Sequence, residues 1–354
     1  MRGKQTKLGV RQIDFIIVGQ GIAGSLLGLK LMERGYTIAI LDSPTLPSSS
    51  SVAAGLYNPI TGRRMVKTWL CDVIFNEIDK FYNGIQDTLR ASIYHPQEIY
   101  RPFFSLEERK IWVNRKYSPD YLPYIKKIVE KPMQDDLVNN PCGGIILRKT
   151  GYVDVAQLIK SSRGYFRNLG VFHEELFQHK LLDYEGSLVK YKDFIGKKIV
   201  FCEGSGAVNN PFFKNLKFNL VKGEILTLNA DRLPRHIINR GVFASPRKGK
   251  LLVGSNYDHQ DMSWQPTGKA KAEILSKLKK ILRINYEFDD QKAGLRAATF
   301  DRRPYLGQSF INEKLYIFNG LGAKGITLSS FFISQMVDVL LIGKPLPKEV
   351  HLNR

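Results

Sequence analysis

The chain has 354 residues, 43% of them hydrophobic and 11% aromatic, with a formal net charge of +20 at pH 7. That length suits one large or two interleaved domains around a sizeable core, and that composition excludes a disordered chain. The three cysteines (Cys71, Cys142 and Cys202) form no CxxC pair and the six histidines show no metal-ligand spacing, so neither a disulfide framework nor a zinc site is expected, and a reducing, cytoplasmic setting is.

In chain order, residues 1–12 (MRGKQTKLGVRQ) are basic but lack the apolar stretch of a secretory signal, and read as a loose tail. No continuous run of about 18 apolar residues follows anywhere, so no membrane-spanning helix is expected. Residues 13–18 (IDFIIV) are a short β-branched run, the pattern of a buried parallel strand. Gly19-Gln20-Gly21-Ile22-Ala23-Gly24 comes next, a GxGxxG match, then a helical pattern that stops at Gly35 and a second strand over 36–41 ending at Asp42. The three glycines act differently. Gly19 permits the tight turn, Gly21 lets a pyrophosphate approach the backbone, and Gly24 lets the helix lie against the strand. The pyrophosphate then sits on the helix N-terminus, and Asp42 accepts hydrogen bonds from a ribose, which favours FAD or NAD over NADP. A GxGxxG alone is weak; strand, glycines, helix, strand and terminal acid in this order are specific.

Residues 48–51 are four serines, followed by Val52-Ala53-Ala54-Gly55-Leu56 and by Tyr57-Asn58-Pro59. Basic clusters occur at Arg63, Arg64 and Lys67, at Lys190, Lys192, Lys197 and Lys198, and at Lys269, Lys271, Lys277, Lys279, Lys280 and Arg283. They suit either a polyanionic partner or an ordinary solvated surface. Residues 197–207 read as another buried strand running into a glycine turn at Gly204, with Cys202 inert inside it. KGEILTLNA (222–230) and KLLVGSNYD (250–258) read as further strands. Residues 267–283 read as an amphipathic helix with Ile274, Leu278, Ile281 and Leu282 inward. Residues 314–330 repeat the strand-to-glycine pattern and lead into an apolar helix. Three such units spread along the chain suggest one cofactor domain assembled from discontinuous pieces, whereas a nicotinamide enzyme usually keeps its cofactor half contiguous.

Four segments carry a family resemblance: the GxGxxG with Asp42; Ser50-Ser51-Val52-Ala53-Ala54-Gly55-Leu56; Gly294 to Gly307 (GLRAATFDRRPYLG), which matches GxRxxTxDxxPxxG; and Gly320-Leu321-Gly322-Ala323-Lys324-Gly325-Ile326-Thr327. From about residue 13 to about 340 the chain resembles the D-amino-acid oxidase superfamily of FAD-dependent oxidoreductases. Within it the chain looks like glycine oxidase and sarcosine oxidase, and most like the FAD domain of the bifunctional enzyme that makes methylaminomethyl-thiouridine in tRNA. LLVGSNYDHQD (251–261) also resembles that tRNA enzyme.

The resemblance implies an α/β architecture. A discontinuous Rossmann-like FAD-binding domain is expected over 13–75, 145–217 and 290–342, with an antiparallel-sheet substrate domain over 76–144 and 218–289. It implies that Arg296 binds a substrate carboxylate, for which a planar guanidinium is suited; an ion pair with Asp301 is the structural alternative. Lys324 would stabilise negative charge on the reduced flavin, and Tyr257 would donate a hydrogen bond to substrate or simply pack at a strand end. Cofactor contacts would come from Gly19, Gly21, Ile22, Ala23, Gly24, Asp42, Ser50, Ser51, Ala54, Gly55, Leu56 and Gly204, and from Gly322, Ala323, Lys324, Gly325, Ile326 and Thr327. Residues 57–59 would reach the active site. No cysteine lies in 294–307, where sarcosine oxidases attach their flavin, so the FAD is expected to be noncovalent. The expected reaction is hydride transfer from the C–N unit of a small carboxylated amine. The alternatives are removal of a carboxymethyl group from a modified uridine of tRNA, and a non-catalytic flavin-binding protein.

Overall fold

The computed structural model describes residues 10–43, 45–62, 64–131 and 136–354. Residues 1–9 of the expected tail, and Arg63 of the first basic cluster, lie outside the described residues. The chain divides into two compact units, one built from 1–51, 159–220 and 296–354 and the other from 52–158 and 221–295. Residues 52–75, 145–158 and 290–295, which the sequence groups with the cofactor-binding pieces, therefore belong by contact to the second unit.

In the first unit, β1 (Arg11–Val18) leads into α1 (Ile22–Glu33) and β2 (Ile38–Asp42). Farther along the chain come β3 (Phe172–Glu174), β4 (Phe194–Phe201), β5 (Leu315–Asn319) and α2 (Gly325–Ile342). The five strands run parallel in the order β3-β2-β1-β4-β5. Phe15 pairs with Ile38 on one side of β1 and Ile16 with Ile199 on the other. Strands covered on both faces need apolar residues throughout, and Ile16, Ile17, Ile40, Leu41, Ile199, Val200 and Phe201 are completely buried. The strand order reverses around β1 and β4, the place where such sheets open a crevice at their carboxyl ends.

By length and composition alone, the segment Gly322–Ile342 is long and apolar enough to cross a membrane. Just over half of its apolar window (56%) is buried within the protein, as in a core helix. It packs against α1, and a Cβ on Gly325 would come within 3.2 Å of Ile22 Cδ1. The N-termini of the two helices therefore approach each other.

In the second unit, eight strands among the described residues form a sheet with mostly antiparallel neighbours; Ile99–Pro102 and Ile237–Arg240 pair in parallel. The helix Gly268–Lys279 begins at Thr267, whose hydroxyl caps the Ala270 N–H at 3.2 Å. Ile274, Leu278, Ile281 and Leu282 are all buried, the last two just past the helix end. The strand read from KLLVGSNYD stops at Gly254; residues 255–257 form no strand, and Asp258 returns only as a bridge to Lys222.

Candidate functional site

The glycine turn after β1 is dictated by how closely main chains approach. Gly19 has φ +95°, and a Cβ there would press on the Cys202 carbonyl at the end of β4; one on Gly24 would overlap the Gly19 carbonyl oxygen. A side chain at either place would displace the backbone. Gly21 precedes α1 with only Ser50 nearby, its Oγ 3.1 Å from where the Gly21 Cβ would lie. The same Ser50 hydroxyl accepts from the Ile22 N–H at 3.0 Å. Ser50 and Ser51 lie in a one-turn helix, Ser49–Val52.

Asp42 ends β2 beside this turn. Its Oδ1 accepts from the Gln20 N–H at 3.1 Å and its Oδ2 faces Arg163 Nη2 at 3.3 Å. Burial pushes its carboxyl above the ordinary range, against the opposing pull of the Gln20 N–H and the Arg163 guanidinium. Gln20 is itself buried. Its Nε2 lies 2.9 Å from Ser25 Oγ, 3.0 Å from Ser162 Oγ and 3.2 Å from the Ile159 carbonyl, and its Oε1 accepts from Arg163 Nε at 2.7 Å. Sequence reasoning misses Gln20, Ser162 and Arg163. Gln20 is visible as a polar residue in an otherwise small, apolar turn; Arg163, 121 positions from Asp42, gives no signal.

At the other end of the chain, the strand Tyr286–Thr299 carries Arg296. Along it Leu295 and Ala297 are buried while Arg296 and Ala298 are half-buried, the alternation of a strand. Arg296 and Ala298 thus share one face. A Cβ on Gly322, which has φ +54°, would lie 3.2 Å from Ala298 Cβ, so the loop before α2 abuts the face that presents Arg296. Gly322, Ala323 and Lys324 form a single 3-10 turn leading into α2, where Gly325, Ile326 and Thr327 are buried. Gly204, with φ +56°, opens the turn after β4, and its carbonyl accepts from Asn319 Nδ2 at 2.9 Å. Asp301 is engaged by Arg354, whose Nε lies 2.7 Å from its Oδ2. Burial pushes the Asp301 carboxyl up, but Arg354, the Arg303 N–H and the Thr299 hydroxyl hold it below its ordinary range.

Ala54, Gly55 and Leu56 belong to the second unit. The Ala54 carbonyl accepts from Arg247 Nη2 at 2.6 Å and the Gly55 carbonyl from the Val153 N–H at 3.0 Å, while Leu56 pairs with Tyr152. Arg247, which the sequence also leaves unmarked, stacks 3.7 Å over the Tyr152 ring. Tyr57 is buried in an aromatic group with Phe75 and Tyr94. Tyr257 is 64% exposed in the loop after the strand Lys250–Gly254. Cys202 is fully buried, which pushes its thiol far up and keeps it unreactive.

A parallel sheet with a glycine turn closed to side chains at Gly19 and Gly24, an acid at the end of its second strand and two helix N-termini drawn together defines a dinucleotide-binding fold. These features fit a pyrophosphate-linked cofactor: the turn leaves backbone room and the helix termini favour its negative charge. The sequence profile of the DAO family, described as FAD dependent oxidoreductase, matches residues 14–333, and the chain belongs to that family. FAD is accordingly its cofactor.

The chain is 21% identical over 91% of its length to the tRNA 5-methylaminomethyl-2-thiouridine biosynthesis bifunctional protein of Marinobacter nauticus, but covers 54% of that protein. It therefore spans about half the length of such relatives. It is 24% identical to glycine oxidase of Bacillus licheniformis over 96% of this chain and 95% of that one. The crystal structure of glycine oxidase from Bacillus cereus superposes with a TM-score of 0.78, covering 94% of this chain and 96% of that one at 21% identity, which shows the shared fold.

Proposed function

We propose that the chain oxidises the C–N bond of a small amine bearing a carboxylate. The observation that carries this reading is the shared face of Arg296 and Ala298, with the Gly322–Lys324 loop packed against it. Noncovalent FAD would be held through the Gly19–Gly24 turn, Asp42, Ser50 and the 322–327 segment, with Ser51, Ala54, Gly55, Leu56 and Gly204 as further contacts. Bound FAD would supply the hydride-accepting ring. Arg296 would fix the substrate carboxylate through a forked, charge-assisted pair of hydrogen bonds. That grip orients the neighbouring α-carbon, and orientation is what the protein contributes to such a reaction. Lys324 and the N-terminus of α2 would favour negative charge beside them. Tyr257 would donate a hydrogen bond to substrate. The oxidised C–N unit, an imine, would then be cleaved by water to an amine and a carbonyl compound.

A second reading applies the same chemistry to a carboxymethylaminomethyl-uridine in tRNA, which also contains an N-substituted glycine unit. The net charge of +20 and the named role of the Marinobacter relative favour it.

The test is anaerobic bleaching of the flavin absorbance by glycine, sarcosine, D-amino acids and total tRNA. Arg296→Met should lower kcat/KM for carboxylated amines by roughly 10- to 100-fold, the worth of one charge-assisted contact. An Arg296→Met enzyme that bleaches as fast as the parent at low substrate would overturn the assignment.

A further inference from the structure

The turn after the Arg296 strand exposes a combination of side chains that a site for small amines does not require. Phe300 is 72% exposed, and Arg302, two residues on, is exposed with φ +61°. A large side chain in the left-handed region is unusual, and such strain persists only where the surroundings impose it. Here they do. The Thr299 hydroxyl lies 2.7 Å from the Arg303 carbonyl and 3.0 Å from Asp301 Oδ1, and the Arg303 N–H donates to the same Asp301 oxygen at 3.1 Å. Arg354 closes the turn from outside: its Nε reaches Asp301 Oδ2, its Nη2 donates to the Arg303 carbonyl at 2.6 Å, and its guanidinium lies 4.1 Å from the centre of the Tyr305 ring. Gly320, before the Gly322 loop, packs on Thr299 Cγ2 and on the backbone of Pro304 and Tyr305. Residues 296–303 hold three arginines against one aspartate, and Arg354 is already paired with that aspartate.

We propose that the Phe300–Arg303 turn is a preformed contact for RNA, with Phe300 stacking on an unpaired base and Arg302 meeting the adjacent phosphate. An exposed aromatic beside a cation is the pairing that single-stranded nucleic acid requires: every base has a face to stack, and every linkage has a charge to neutralise. The net charge of +20 supplies the long-range attraction. The turn follows Arg296 by a few residues, so a base bound there would lie along the chain from the substrate arginine. This inference rests on the tRNA reading above and names the surface that the reading needs.

The experiment is fluorescence anisotropy of labelled total tRNA on the FAD-loaded protein across a salt series, with heparin as a polyanion that carries no bases. The variants are Phe300→Ala and Arg302→Asn; asparagine tolerates the left-handed backbone. Unchanged flavin absorbance and unfolding temperature would report an intact fold. Phe300→Ala should weaken tRNA binding roughly tenfold with heparin binding unchanged. Arg302→Asn should weaken both and lower the salt slope by about 1. Tight tRNA binding by the parent, with both variants indistinguishable from it, would overturn the turn as the contact and leave the tRNA reading standing. Equal losses on heparin and tRNA for Phe300→Ala would overturn the base contact. A parent protein that binds no tRNA yet bleaches with sarcosine would overturn both the inference and the tRNA reading, leaving small-amine oxidation in place.

Discussion

The Gly19–Gly24 turn of the first unit and the Lys222 cluster of the second solve the same problem, holding a loop still, by opposite means. The turn works by leaving side chains out. Its backbone packs on backbone, and its one large polar residue, Gln20, is buried among hydrogen-bonding helix residues. The second cluster works by burying charge. Lys222 and Glu224 are both essentially inaccessible; Lys222 Nζ donates to Asp261 at 2.6 Å, Ser263 at 3.1 Å and the Gln265 carbonyl at 2.5 Å, and lies 3.7 Å from Glu224 Oε1. Glu224 in turn accepts from the Thr267 N–H at 2.8 Å and from Gln291 Nε2 at 2.6 Å. Tyr257 sits in the loop so anchored. Packing of main chains tolerates no added atom, whereas a buried ion pair tolerates no lost one.

The sharpest break is therefore an added methyl group. Gly24→Ala places a Cβ on the Gly19 carbonyl oxygen, and relief requires α1 to move off β1. We expect a loss of about 3–5 kcal/mol, the range of severe core disruption, with little or no retained FAD. A yellow protein with the parent's unfolding midpoint would show that the helix shifts freely. For the second unit the matching break is a removal. Lys222→Met strands the Glu224 carboxylate in the interior, which costs about 3–5 kcal/mol when one partner of a buried pair is lost. Adding Glu224→Gln should recover part of that loss, because the stranded charge is gone. Denaturant unfolding of the single and double variants measures both, and equal stability of the two would mean that the charge itself costs nothing.

This contrast also explains what can be read from the amino acids alone. The glycine turn is legible because its constraint is local: three glycines, a flanking strand and helix, and an acid at the right distance are all within residues 13–42. The strand carrying Arg296 and the turn at Gly322 are legible as motifs, but their meeting through Ala298 is not, since nothing in spacing fixes which face a distant loop covers. Asp301, near Arg296 in sequence, is its evident alternative partner; the structure gives Asp301 to Arg354, 53 residues away. Lys222 opens a recognisable strand, yet a lysine in a strand ordinarily faces solvent. Its burial depends on Asp261 and Glu224 arriving together. The strand expected over 250–258 is too long: the apolar run ends at Gly254, and the polar Ser255-Asn256-Tyr257-Asp258 segment opens a loop held through Asp261 by Lys222.

A smaller effect tests whether the Gln20 hydrogen bonds matter beyond the glycines. Gln20→Leu keeps volume but leaves Arg163 Nε and the Ser162 hydroxyl without the amide they face, at a cost of about 1–3 kcal/mol. Because Arg163 also reaches Asp42, we expect weaker FAD retention in equilibrium dialysis as well. A drop in stability with unchanged FAD affinity would confine Gln20 to packing and separate the turn's two roles.

The smallest expected effect is a pH dependence in the second unit. Asp261 is held down to about 2 from an ordinary value near 3.8, first by the Lys222 ammonium and then by Ser263. A carboxyl lowered in the folded state adds stability that is complete above the unfolded value and is lost as pH falls through the folded one. The Lys222 anchor should therefore weaken as pH drops from about 4 toward about 2. Asp261→Asn, which cannot titrate, should be less stable than the parent at about pH 6, and the two unfolding midpoints should converge as the pH is lowered through that window. Asp42 titrates with the opposite sign, since burial raises it, so acid does not remove its contribution in the same way. Convergence that survives in a Lys222→Met background would show that Ser263 alone holds the Asp261 carboxyl down, and would leave the buried lysine as a purely spatial anchor.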